Sequence, residues 1–329
     1  MSSGNLSFLE KVKVEFQHII TPDLLRSLSG SNLANIDASL ESLSPYPAIE
    51  CLKVRTGIDF REASLKEIFA ALMKCWHEDL ADIAELTKPG ENVVQFIKLF
   101  MKRYELLELL EALRELSLNR RILTRFPFID EWLLERLAIA ESTQHLISIF
   151  REYRSVPAMI VADALMLSPE GPIHELNVDS LRDSVVEEYW RRIESVASSI
   201  QPKVKFNKCL RDLKLIDILE LRVREAFLEG REVSANLPKL PSKISEVIEG
   251  SDPLEADFII ATLRYAICVD EMAFSPLSHD VTIAYMVAKE YEAHLLSSFI
   301  KSQVLGLGKY FLDEVLSRWL NAYGKVTGK

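Results

Sequence analysis

Apolar residues recur every three to four positions along almost the whole chain, the spacing of helices with a buried face. Alternating β-branched runs joined by Asn-Gly turns, the signal of paired strands, are essentially missing. The pattern predicts an all-α protein. Three segments carry it most strongly. In Phe100–Leu118 the acids Glu105, Glu108, Glu111 and Glu115 follow one another at helical steps, and Leu106, Leu109, Leu110, Leu113 and Leu116 fill the other side. That arrangement predicts a half-buried helix whose carboxylate stripe faces solvent, or docks on a basic partner. In Leu210–Gly230 apolar residues extend around most of the circumference, so both sides should touch protein; Asp217, Glu220, Arg222 and Arg224 are embedded there. Glu220 and Arg224 stand four apart in the favoured order for a helix pair. Thr282–Gly306 is again long and largely apolar, with Glu290 and Glu292 inside. Each segment opens on aromatic or apolar residues, places an acid early and continues in leucines. This loose, unevenly spaced repeat fits a few large related lobes better than a short-period solenoid.

Local signals mark where helices start and stop. Thr21-Pro22-Asp23 offers an N-cap followed by proline at the first helical position. Asp252-Pro253-Leu254-Glu255 does the same and adds a capping-box carboxylate. Asp179 or Ser180 can cap the helix that runs into Tyr189 and Trp190. Breaks fall at Thr87–Gly90, at Ser168–Pro172, at Gln201-Pro202 and at Leu237–Pro241. Gly306 and Gly308 end the long C-terminal helix, and a last amphipathic helix is predicted near Tyr310–Tyr323. No break is long enough for a disordered linker, so the expectation is packed lobes, divided at 1–122, 123–236 and 237–329.

Composition and charge narrow the function classes. The chain is leucine-rich, with 11 glycines and 13 prolines in 329 residues, which suits helices and excludes collagen-like and disordered classes. Lys plus Arg is 39 against 49 Asp plus Glu, a net charge of −10. Clustered positive charge drives phosphate binding, so nucleic acid is not an expected partner. No segment is apolar enough for a membrane span; Val156–Leu167 and Phe258–Val269 carry Asp163 and Arg264 and read as core helices. The four cysteines, Cys51, Cys75, Cys209 and Cys268, are widely spaced. They read as reduced, buried thiols of a cytosolic protein.

Catalytic and metal motifs do not assemble. Cys75-Trp76-His77 places its two ligand types on different faces of a helix. Glu290 and His294 have metal-site spacing, but the His-Glu-x-x-His of a zinc protease is absent. Gly306-Leu307-Gly308-Lys309 lacks the preceding strand and the Ser or Thr of a phosphate loop. His279-Asp280 reads as a turn in which Asp280 caps the following helix. No catalytic, cofactor or metal residue is therefore nominated.

Three stretches go further. VVQFIKLFMKRYELLELLEALREL (Val93–Leu116), Leu215–Gly230 with its Ile-Asp-Ile, Glu-Leu-Arg and Gly-Arg-Glu, and FSPLSHDVTIAYMVAKEYEAHLLSSFIKSQVLGL (Phe274–Leu307) resemble the C/d-subunit family of archaeal A-type and eukaryotic V-type rotary ATPases. In that family each of three lobes carries a helix with an acid, a nearby Asn and a Leu-Arg. Tyr285, Lys289-Glu290, Glu292, Leu296, Lys301, Gly306 and Leu307 fall on the pattern of the last one. This chain departs from it with Glu220 and Leu295 at the usual Asn, Ser297 at the last arginine and Arg114 displaced in the first repeat. Before Val93 the match is in helical character alone.

The resemblance implies a funnel of three similar helical lobes about a pseudo-threefold axis, seated on the cytoplasmic face of the membrane rotor ring and receiving the foot of the central stalk. It implies a non-catalytic, cofactor-free adaptor that couples ATP synthesis or hydrolysis to proton or sodium transport. Its partners would be the central-stalk subunits and the rotor ring. Glu105, Arg114, Asp217, Glu220, Arg224, Glu290, Glu292 and Gly306 are the candidates for lobe packing and registry. The alternatives are an all-helical interaction scaffold unrelated to ATPases and an all-α enzyme.

Overall fold

A computed structural model describes residues 3–28, 40–41, 43–119, 121–228, 230, 253–272, 278–318, 321 and 324. Among them the protein is all-α, with thirteen α-helices and no strand. The expected cap at Asp252, the break at Leu237–Pro241, the Gly-Arg-Glu arginine and glutamate, and Phe274–Leu277 lie outside the described residues.

The chain divides into two compact units, one of Met1–Glu91, Gln201–Cys209 and Val233–Lys329, the other of Asn92–Ile200 and Leu210–Glu232. The first contains α1 (Ser3–Phe16), α2 (Pro22–Leu28), α3 (Pro47–Glu50) running into a π-helical turn at Cys51–Arg55, and α4 (Leu65–Thr87). The second is built from α5 (Glu91–Asn119), α6 (Glu131–Ala138), α7 (Thr143–Tyr153), α8 (Val156–Leu165), α9 (Val178–Ser198) and most of α10 (Phe206–Leu228). The first then resumes with α11 (Pro253–Met272), α12 (Asp280–Val304) and the single turn α13 (Gly308–Tyr310).

In the first unit α12 is central. Every residue from Asp280 to Ala293 and from Leu295 to Ile300 is buried, against α11, α4 and α1. A helix apolar around its whole circumference has nowhere stable to sit except the middle of a core. α4 starts with a capping box: Ser64 Oγ accepts the Glu67 N–H, and the Glu67 carboxylate accepts the Ser64 N–H at 2.7 Å. It stops at Lys88, whose φ of +48° turns the chain out of the helix at the expected break. α2 starts at Pro22, with Thr21 Oγ1 accepting the Leu24 N–H as its sequence predicts.

All four cysteines are buried and paired, which corrects the expectation of reduced thiols. Cys51 bonds to Cys75, and Cys209 to Cys268 with Cα atoms 5.3 Å apart. The partners are 24 and 59 residues apart in sequence, so spacing alone hid them. The pairing also removes the ground for reading a reducing compartment from the cysteines.

In the second unit α5 is buried on nearly all sides from Phe100 to Leu116. The shorter helices are set by N-caps: Asp130 for α6, Ser142 for α7, Ser155 for α8 and Asn177 for α9. The α9 cap lies two residues before the expected Asp179; Asn177 Oδ1 accepts the Ser180 N–H, leaving Asp179 inside the first turn. α6, α7, α8 and α9 pack in sequence, each on the next.

Candidate functional site

The acids that the sequence singles out are buried, Glu111 alone among those of the three long helices being half-buried, and each is bonded to a specific partner. On α12, Glu290 is 1% exposed and its Oε1 lies 3.1 Å from Arg264 Nη1 of α11. Close by on the same helix, Glu292 accepts the Lys289 ammonium at 2.7 Å and the backbone N–H of Ile20, also at 2.7 Å. An ionised group leaves water at a cost of several kcal/mol, roughly balanced only when charges pair and the remaining lone pairs are bonded. Each of these acids has its charge paired, and together they tie α12 to α11 and to the segment ahead of α2.

The second unit repeats the device. Asp217 of α10 is fully buried; it accepts the Trp190 indole N–H at 3.0 Å and faces Arg103 Nε of α5 at 3.5 Å. The Arg103 guanidinium also lies 4.4 Å from the Phe100 ring centroid, where the ring quadrupole favours a cation. Arg224 reaches Glu220 at 2.6 Å within α10 and Glu111 of α5 at 3.2 Å. Arg114 faces Asp179 of α9 at 3.8 Å. Glu105 bonds to Lys102 and to the hydroxyl of Ser155, the α8 cap.

The carboxylate stripe of α5 is therefore neither a solvated face nor a docking face. Glu105, Glu108 and Glu115 are at most 5% exposed. Glu108 accepts the Phe128 N–H at 2.7 Å, and Glu115 accepts those of Leu123 at 2.7 Å and Thr124 at 3.0 Å. Periodicity places such acids on one face but cannot say that a loop folds back over it. Gly306 ends α12 as expected: with φ of +73° it lets the Leu307 N–H reach Ser302 O and its own N–H reach Gln303 O, a Schellman closure.

Asp280 does not cap its own helix, contrary to the local reading of its turn. It lies inside the first turn of α12 and caps α10 instead, accepting the N–H groups of Val204, Lys205 and Phe206 at 3.0, 2.9 and 3.1 Å. The signal for this role is absent from local sequence, because donor and acceptor are about seventy residues apart. Beside it His279 is buried, with Nδ1 3.4 Å from Thr282 Oγ1. Burial pulls its pKa down from 6.5 to about 4, against the opposing pull of Asp280. Burial likewise raises Tyr285 and Tyr189 well above the usual tyrosine value; the Tyr189 hydroxyl donates to Leu99 O.

Among the described residues no group of three or more His, Cys, Asp or Glu could hold a metal ion. Cys75 is tied to Cys51, and the His294 ring lies against Phe69 at 4.2 Å. No described helix is long and apolar enough to cross a membrane. The buried ion pairs between α11 and α12, and between α5 and α10, fix helix against helix.

No protein-family profile matches the chain, and neither a curated protein nor a solved structure matches it.

Proposed function

We propose that this chain is a non-catalytic central-rotor adaptor of an A-type or V-type rotary ATPase, coupling the central stalk to the membrane rotor ring. The observation that carries the reading is α12. The segment with the strongest likeness to the C/d-subunit family, Tyr285 to Leu307, is dominated by a single helix buried along most of its length, fastened to α11 by Arg264–Glu290 and to the chain ahead of α2 by the Ile20 N–H on Glu292. A part that transmits torque must resist bending and sliding between its helices. Close-packed interiors supply the first property, and paired buried charges that are costly to separate supply the second.

The three-lobe funnel, with lobes 1–122, 123–236 and 237–329, and the place on the cytoplasmic face of the membrane belong to the same proposal. The disulfides are compatible with it, since intracellular proteins of hyperthermophilic archaea are disulfide-rich. The test is co-purification. A tagged full-length chain expressed in its native cells should bring down the stalk subunits and the rotor ring from detergent-extracted membranes. Recovery of the chain with neither would refute the reading and favour the unrelated helical scaffold.

A further inference from the structure

Within the first unit a small cavity opens where α1, α3, α4 and α12 meet. It offers about 20 Å³ to the centre of a water-sized group, room for one such group and for no ring. Pro47 and Ala48 of α3 and Trp76 of α4 form an apolar side. The polar side carries Glu15 of α1, Asp79 of α4 and Lys289 and Glu292 of α12. Lys289 and Glu292 pair with each other, and Glu292 also holds the Ile20 N–H. Asp79 gives Oδ1 to Arg55 and keeps Oδ2 open. The half-buried Glu15 carboxylate has no partner among the described residues. Tyr285 lines the same cavity at 1% exposure, and its hydroxyl makes no hydrogen bond to any described residue. A buried hydroxyl left without a partner is costly, so it points to a guest in the space beside it. Burial, and after it the carboxylates of Glu15, Glu292 and Asp79, raise the phenol well above its usual pKa; it stays protonated, and the three acids act at one point.

We propose that this cavity binds a primary ammonium group, its three N–H donors resting on the Glu15 carboxylate, Asp79 Oδ2 and the Tyr285 phenol oxygen. The donor count matches the open acceptors, since a primary ammonium has three donors and accepts nothing. The charge matches too. Lys289 balances Glu292 and Arg55 balances Asp79, which leaves Glu15 for the guest. The Trp76 and Tyr285 rings, with centroids 6.3 Å apart, add π-systems that attract a cation. An anion would meet three carboxylates instead. A quaternary ammonium is too large for the space and has no N–H to give. The ligand is therefore a short aliphatic amine or the tip of a lysine from another protein. This site is independent of the adaptor reading, which neither requires nor excludes it.

The test titrates the full-length chain with propylammonium chloride at fixed ionic strength, read by calorimetry and by the thermal melt. Wild type should take up one equivalent with a Kd of about a millimolar or below, and its melt should rise. Glu15→Gln and Tyr285→Phe should each weaken binding by about fivefold or more. Their melts without amine should stay close to wild type, because neither group has a partner to lose; a role in packing alone would do the reverse. Tetramethylammonium chloride should give neither heat nor shift. The site is overturned by the absence of saturable binding to wild type, by binding that survives both substitutions, or by an equal melt shift from tetramethylammonium or potassium chloride. Nα-acetyl-lysine methylamide separates the two sources. If it binds more tightly than propylammonium, the ammonium comes from a protein lysine; if more weakly, from a free amine. Either result upholds the site.

Discussion

The Asp280 carboxylate accepts the backbone N–H of Phe206 at 3.1 Å, so the acid that opens α12 closes the start of α10. With the Val204 and Lys205 donors, one buried carboxylate satisfies three successive backbone N–H groups at the entry to α10, that of Phe206 being one the helix cannot satisfy itself. Asp280→Ala should lower the unfolding free energy by about 2 kcal/mol or more, the sum of a lost cap and of donors left dry. Asp280→Asn should recover part of it. Denaturant unfolding of the two variants decides the point; an alanine variant as stable as wild type would show that water replaces the carboxylate.

Arg264 and Glu290 should behave as a unit. Removing one charge takes this partner from the other in the core, so Glu290→Leu alone should cost about 3–5 kcal/mol. The double change Arg264→Met with Glu290→Leu should cost far less than the sum of the singles. A double-mutant cycle read by thermal or chemical unfolding measures the difference, and additive losses would mean that the two groups do not interact.

His279 gives the fold a pH dependence of defined sign. Its pKa is about 4 when folded and 6.5 in the ordinary state, so between these values the unfolded chain binds more protons. Stability therefore rises with pH through that window and is lost as pH falls from about 6.5 towards 4, by up to about 3 kcal/mol. Wild type minus His279→Gln, compared across the window, isolates this group from the carboxylates. Equal slopes for the two proteins would contradict the buried, neutral histidine.

The cysteine pairing has a direct assay. Denatured without reductant, the chain should show no free thiol from its four cysteines. Reduction, or Cys209→Ala with Cys268→Ala, should lower stability by about 2–4 kcal/mol. Four titratable thiols would restore the reduced state as the native one.

Gly306 tests the end of α12. No neighbouring atom would meet an added Cβ there, so Gly306→Ala suffers only the left-handed backbone, about 1 kcal/mol in a melt. Gly308 is a different case: an added Cβ would collide with the Gln303 side chain, which must move. Its substitution should therefore depend on whether Gln303 is shortened in the same chain.

Much of the fold is legible before any coordinates. The helices, the start at Pro22, the stops at Lys88 and Gly306 and the encircling burial of α12 follow from spacing, caps and glycine, all of which act within a few residues. The Ser64–Glu67 capping box is equally local, a Ser-x-x-Glu ahead of an apolar run. The candidate site is legible only in part. Periodicity finds Asp217, Glu220, Glu290 and Glu292 on apolar helices, yet it reads Glu105, Glu108 and Glu115 as facing water. A stripe of acids looks the same whether water or a returning loop covers it.

Residue order was enough to set the secondary structure, because helix propensity, caps and amphipathic period are properties of close neighbours. Packing in three dimensions chose the partners: Asp280 for the α10 terminus, Glu115 for the Leu123 loop, Cys209 for Cys268, Ile20 for Glu292. It also gathered three separated stretches of chain into the first unit. A buried charge or donor must be satisfied by whatever the packing brings within about 3 Å, and packing disregards distance along the chain.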